Sequence, residues 1–187
     1  MGRKNSASTR CGVYYLDQLG QASISDWKTV LDMNQAVMAE SLGIIPARGG
    51  SKGIPRKNIA SFLGKPLICW SIEVALASQY IDRVIVSTDD PEIAEIAITA
   101  GAEVPFLRPP ELSTDLVMDY PVVRHCLDYV RHSEDYAPDL VVQLRPTSPL
   151  RTPELVDDAI ERLLKTESAE SLRVVCESPA NPYKMWT

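Results

Sequence analysis

Ile44 and Ile45 run straight into Pro-Ala-Arg-Gly-Gly-Ser-Lys-Gly-Ile-Pro-Arg-Lys-Asn, an apolar run that opens into a loop with Gly49, Gly50 and Gly53 and the cations Arg48, Lys52, Arg56 and Lys57. A strand ending in such a loop is suited to holding phosphate. Glycine lets backbone N–H groups approach oxygen closely, and the cations neutralise its charge. The formal charge of the chain is -6 over 187 residues, so this basic cluster has a local cause. The acidic balance argues against general nucleic-acid binding while leaving room for one basic pocket.

The length suits one domain with an appendage. All 14 prolines lie at Pro46 or later, which separates an N-terminal extension, residues 1–42, from a domain over 43–187. The extension reads as partly helical or disordered, with helical spacing of apolar positions from Ser25 to Leu42. Beyond it strands and helices alternate. Apolar runs predict strands at Gly43–Ala47, Arg83–Ser87, Val104–Leu107, Leu140–Leu144 and Leu172–Cys176. Lys65-Pro66, Asp90-Pro91 and Thr152-Pro153 each offer proline at a first helical position. Asp119 to Arg131 carries Val122, Val123, Cys126, Leu127 and Val130 on one face, the pattern of an amphipathic helix. Continuous apolar strands alternating with helices imply an α/β fold, its mostly parallel sheet covered on both faces.

In such sheets a ligand lies beyond the carboxyl ends of the strands. That rule gathers Arg48 to Lys57, then Thr88, Asp89 and Asp90, then Arg108, then Arg145, Thr147 and Ser148. Three kinds of phosphate loop compete at the first position. A Walker loop needs GxxxxGK followed by Ser or Thr, but Gly49 and Gly53 stand too close and Ile54 follows the second. A dinucleotide fingerprint needs GxGxxG, whereas Gly49, Gly50 and Gly53 give GGxxG. A longer, cation-rich nucleotidyltransferase loop wrapped round a triphosphate remains.

Five blocks in order, PARGGSKGIPRKN, LGKPLICWSIEVAL, VIVSTDD, VPFLRPPELSTD and RPTSPLR, resemble the acylneuraminate cytidylyltransferases (CMP-sialic acid synthetases) over about residues 43–180. The resemblance implies a Rossmann-like three-layer domain that binds CTP. The reaction it implies joins CMP to an acidic nine-carbon sugar and releases pyrophosphate, with Mg2+ as cofactor. The sugar's anomeric hydroxyl attacks the α-phosphorus in line, so no protein nucleophile is needed. By position in these blocks, Arg48 and Lys57 take the catalytic role of holding the outgoing phosphates. Ala47, Gly49, Gly50, Ser51, Lys52 and Asn58 bind the nucleotide, the two glycines through their amides. Arg108 and Thr114 line the base pocket, and Arg145, Thr147 and Ser148 face the sugar. Many relatives have Gln where Arg145 stands. Gly53, where pseudaminate relatives often have Arg, leans towards a sialic- or legionaminic-type sugar.

The resemblance also implies a homodimer in intact relatives, and a further C-terminal stretch holding an aspartate pair for the metal. The chain therefore reads as truncated, with a nucleotide-binding remnant as the alternative to an active enzyme. No metal ligand is assigned here, because Asp90 before Pro91 reads better as a helix cap than as a ligand beside Asp89. His125 and His132 read as core or solvent positions, and Trp70, Trp186, Cys69 and Cys126 as packing. The four cysteines form no CxxC pair, as expected of free thiols in a reducing cytoplasm. No apolar run reaches the ~18 residues of a membrane span.

Overall fold

Leu42, Gly43, Ile44 and Ile45 place no polar side chain on either face, so a strand built from them belongs where both faces are covered. The computed structural model describes residues 11–13 and 39–176. Its strands are β1 (Cys11–Val13), β2 (Ser41–Pro46), β3 (Ser61–Phe62), β4 (Lys65–Pro66), β5 (Arg83–Ser87), β6 (Leu140–Gln143) and β7 (Val174–Cys176). Its helices are α1 (Leu67–Ala77), α2 (Pro91–Thr99), α3 (Asp119–Glu134) and α4 (Pro153–Leu164), with short 3-10 turns at Lys57–Ile59 and Pro110–Leu112. The chain divides into two units, Met33–Asp157 and Met1–Asp32 with Asp158–Thr187.

The first unit is built on a three-stranded parallel sheet in the order β5-β2-β6. Leu42 to Pro46 run in register with Arg83 to Ser87, and Ser41 to Ile44 with Leu140 to Gln143. Leu42 and Ile44 enter a fully buried cluster with Ile85, Cys126 and Val130, the last two from α3. Successive side chains alternate across a sheet, so Gly43 and Ile45 face the other way. There a Cβ on Gly43 would meet Ile81 at 3.1 Å, and α1 packs on β2 and β5. Both faces are thus covered, the helix–sheet–helix layering expected from the sequence.

Three expectations are corrected. Val104–Leu107 makes no strand, only isolated parallel bridges of Ile85 with Glu103 and Thr88 with Leu107. Pro105 between them has no N–H to continue the ladder. Pro66 does not open α1. It belongs to β4, paired with β3 across Leu63 and Gly64, whose φ values of 49 and 89 match a turn with two left-handed residues, and the helix starts at Leu67. In the second unit β7 pairs antiparallel with β1 and does not extend the parallel sheet. The expected helix over Ser25–Leu42 falls on residues 25–38, outside the described residues, and at Ser41 and Leu42, where the chain is already strand.

Asp90 and Thr152 behave as the cap signals require. Asp90 accepts from the amides of Glu92 and Ile93 at 3.0 and 3.1 Å, and Thr152 Oγ1 accepts from Leu155 N–H at 3.3 Å. Among the described residues no helix is long and apolar enough to cross a membrane. Cys69 and Cys126 are free and buried, and burial pushes the Cys126 thiol up to about 12.

Candidate functional site

The carboxyl ends of β2 and β6, Arg108 and the segment leading into α3 enclose a cleft of about 290 Å³. Its lining includes Arg48, Ser51, Lys57, Asn58, Arg108, Thr114, Arg145 and Thr147, drawn from three separate stretches of sequence. Topology brings them together, since parallel strands end on the same side of the sheet.

The loop after β2 is held from both ends. Asn58, almost fully buried, donates its Nδ2 to the carbonyl of Arg48 at 2.9 Å. The Gly49 amide donates to Asp89 Oδ1 at 3.0 Å. Arg56, left-handed at φ 49, reaches Asp90 at 3.0 Å and Glu92 at 2.7 Å and ties the loop to the start of α2. These contacts sort the four cations. Arg56 is structural, whereas Arg48 and Lys52 both pair with Asp115. Lys57 enters the cleft from its 3-10 turn with no carboxylate partner among the described residues.

Arg108 is 5% exposed. Its Nη2 donates to the Ser87 carbonyl at 2.9 Å and its Nη1 to the Leu112 carbonyl at 3.4 Å. Its Nε is buried without a hydrogen-bond partner among the described residues. Burial holds this guanidinium below the usual arginine value; Asp89 opposes that effect and Arg48 adds to it. A buried donor without an acceptor costs about 1–3 kcal/mol, and Arg108 brings its positive charge to the lining of the cleft. Across from it, the carbonyl of Arg145 accepts from Ser71 Oγ at 3.3 Å. The exposed Arg145 guanidinium pairs with Asp119 in the first turn of α3.

Five expected site residues lie outside this lining. Ala47 is wholly buried, its N–H spent on the Ser87 carbonyl at 3.0 Å. The Gly49 amide is committed to Asp89, so it is not free for an anion. Gly50 is exposed and apart from the lining, as is Ser148 in the next stretch. The Lys52 side chain is 83% exposed and touches the cleft only through Asp115. Gly53 is exposed too, with nothing within 4 Å of an added Cβ.

Sequence reading missed Asp115 and Asp119, and the apolar wall of Leu112, Val117 and Val122. Asp115 closes the quoted block VPFLRPPELSTD, next to Thr114. Lys52 and then Arg48 hold the Asp115 carboxyl below the usual range, against the effect of burial. Among the described residues no group of three His, Cys, Asp or Glu side chains could hold a metal ion. The two cleft carboxylates are each engaged by arginine, so these residues do not by themselves fit magnesium. His125 packs edge-on against Phe106 at 4.8 Å, and Trp70 donates to the Phe62 carbonyl at 3.0 Å beneath Lys65. Both are packing roles, while Trp186 lies outside the described residues.

The chain is similar to known proteins over much of its length. The family model described as Cytidylyltransferase matches residues 42–185. The pseudaminic acid cytidylyltransferase of Campylobacter jejuni is 45% identical over 129 residues, 69% of this chain and 55% of that protein. The CMP-N,N'-diacetyllegionaminic acid synthase of Legionella pneumophila is 42% identical over 122 residues, 64% of this chain and 51% of that protein. The N-acylneuraminate cytidylyltransferase of Escherichia coli is 38% identical over 120 residues, 64% of this chain and 27% of that protein. The chain spans about half the length of the first two and less of the third. Among solved structures, a CMP:2-keto-3-deoxy-manno-octonic acid synthetase complexed with CTP superposes with a TM-score of 0.57 at 22% identity, over 67% of this chain and 48% of that one. That likeness is one of fold.

Proposed function

This chain belongs to the cytidylyltransferase family, and we propose that its cleft binds CTP and transfers CMP to an acidic nine-carbon sugar with release of pyrophosphate. The observation that carries the reading is the convergence of Arg48, Lys57, Arg108 and Arg145 on one cleft of an acidic chain. Lys57 and Arg48 hold the β- and γ-phosphates, while Asn58, Thr114 and Arg108 hold the nucleoside. Arg145 and Thr147 meet the sugar. The sugar hydroxyl oxygen bonds to the α-phosphorus as the α–β anhydride bond breaks, its proton passes to water, and the departing charge falls on Lys57 and Arg48. Catalysis of this kind is positioning plus charge stabilisation.

Magnesium belongs to the proposal as an ion carried by the nucleotide's phosphates, with water in its remaining positions. A homodimer and a reducing cytoplasm, in which Cys69 and Cys126 remain thiols, complete it. The three sugars named among the relatives, at 38–45% identity, leave the acceptor open within the nonulosonic acids.

The test is calorimetry with CTP, ATP, GTP and UTP, beside pyrophosphate release from CTP and Mg2+ with N-acetylneuraminate, legionaminate or pseudaminate. Preference for CTP and turnover with one acid supports the proposal. CTP binding without turnover leaves a nucleotide-binding site and removes the transferase part. Preference for another nucleotide removes the cytidine assignment.

A further inference from the structure

The two oxygens of the Asp115 carboxylate are divided between two cations, Oδ1 meeting Arg48 Nη2 and Oδ2 meeting Lys52 Nζ. Two cations converging on two oxygens of one anion is also how a phosphate group is held. The Arg48 and Asp115 side chains are each 30% exposed, so the pair is open to water and to competing anions. Asp115 opens a stretch in which alternate side chains divide between cleft and solvent. Asp115, Val117 and Asp119 line the cleft, whereas Leu116, Met118 and Tyr120 are 93%, 78% and 72% exposed. Asp115 ties one end of this stretch to Arg48 and Lys52, and Asp119 ties the other to Arg145.

We propose that Asp115 is an exchange ligand for two cations of the loop after β2: it holds Arg48 and Lys52 when no nucleotide is bound, yields them to a polyphosphate, and takes them back as pyrophosphate leaves. The proposal rests on reading the cleft as a triphosphate site but not on the base. Partly exposed ion pairs are weak, so a polyphosphate with several charged oxygens outcompetes one carboxylate. The carboxylate still subtracts from the affinity for product and so speeds its departure. Asp115 is a positioning residue in this scheme, since it acts through Arg48 and Lys52.

The experiment measures dissociation constants for inorganic pyrophosphate and for cytidine with the parent chain and Asp115→Asn, an isosteric change that removes the charge. Pyrophosphate is expected to bind about three- to fivefold tighter to the variant and to dissociate more slowly, while cytidine, which has no phosphate, binds equally to both. Pyrophosphate binding that is unchanged or weaker in the variant overturns the proposal, as does a parallel loss for both ligands, the mark of a merely structural role. Should the variant fail to fold, the parent chain carries the test. Its Asp115 side-chain carboxyl 13C resonance must move when pyrophosphate is added, and a resonance that stays in place overturns the exchange. If the variant gains pyrophosphate affinity while neither chain prefers CTP over ATP or GTP, the exchange stands and the cytidylyl reading fails. If CTP is preferred and the variant gains nothing, the reverse holds.

Discussion

A methyl group added at Gly49 would lie 2.5 Å from Asp90 Oδ2 and 2.9 Å from Asp90 Cβ. The space at Gly49 is therefore filled by a carboxylate of the protein, not kept clear for a phosphate. That same carboxylate caps α2 and receives Arg56, so the loop and the helix are fastened at one point.

Gly49→Ala should destabilise the first unit by about 1–3 kcal/mol, because the added carbon forces Asp90 off its cap and strains the packing. Gly50→Ala, with nothing within 4 Å of the new carbon, should leave stability unchanged or raise it by up to about 1 kcal/mol through the unfolded chain. Urea unfolding of both variants decides the matter, and equal losses would show that Asp90 is not what position 49 accommodates.

Asp90 also sets a pH dependence. Burial raises its pKa, but the Arg56 hydrogen bond and the amides of Ile93 and Glu92 outweigh that and hold it below the usual aspartate value. A carboxyl depressed on folding adds stability that is present above its unfolded value, about 3.9, and lost as pH falls through its folded value. Stability should therefore decline from about pH 4 downward. Asp90→Asn, which keeps a capping oxygen but no charge, should flatten that decline. Asp90→Ala should cost about 0.5–2 kcal/mol at neutral pH through the lost cap. A denaturation midpoint with the same acid slope in parent and Asp90→Asn would remove Asp90 from the account.

Much of this architecture was legible because it depends on neighbours in sequence. Arg83–Ser87 is a strand by its own β-branched run, and Asp90 before Pro91 is a cap wherever the helix packs. The cleft cations were legible in part, since the strand-end rule needs only the positions at which strands stop. What escaped depends on pairs far apart in the chain. Arg48 meets Asp115 and Arg145 meets Asp119 only once α3 is laid on the sheet, and no local pattern announces either. Val104–Leu107 looked like a strand by composition, but its place in the ladder turned on the N–H that Pro105 lacks. The surroundings of Gly49 were hidden for the same reason, because the carboxylate beside it, Asp90, lies 41 residues away.

Lys57 separates binding from folding more cleanly than any other cation of the loop. It lines the cleft without a carboxylate partner among the described residues, so Lys57→Ala should leave the unfolding free energy within about 0.5 kcal/mol of the parent. Its loss should nonetheless weaken CTP and pyrophosphate binding by about 1.5–3 kcal/mol, the scale of one charged hydrogen bond. Calorimetry against cytidine as a phosphate-free control checks it. Unchanged affinity for pyrophosphate would place the phosphates elsewhere.

Arg145 tests the far side of the cleft. Its backbone is tied down by Ser71, while its guanidinium is exposed and balanced only by Asp119 among the described residues. A cation held at the mouth by one surface ion pair is free to turn to a negatively charged acceptor, because such pairs are worth little in water. Arg145→Ala should raise the KM for the acidic sugar by about tenfold or more, the cost of one charge-assisted hydrogen bond. The CTP affinity should stay within about twofold, since Lys57 and Arg48 are untouched. The converse pattern, weaker CTP with the sugar KM unmoved, would put the triphosphate where the sugar is drawn and reverse the polarity of the site. Asp119→Asn sharpens the reading: with its partner neutralised, Arg145 should favour the acid more strongly and the sugar KM should fall.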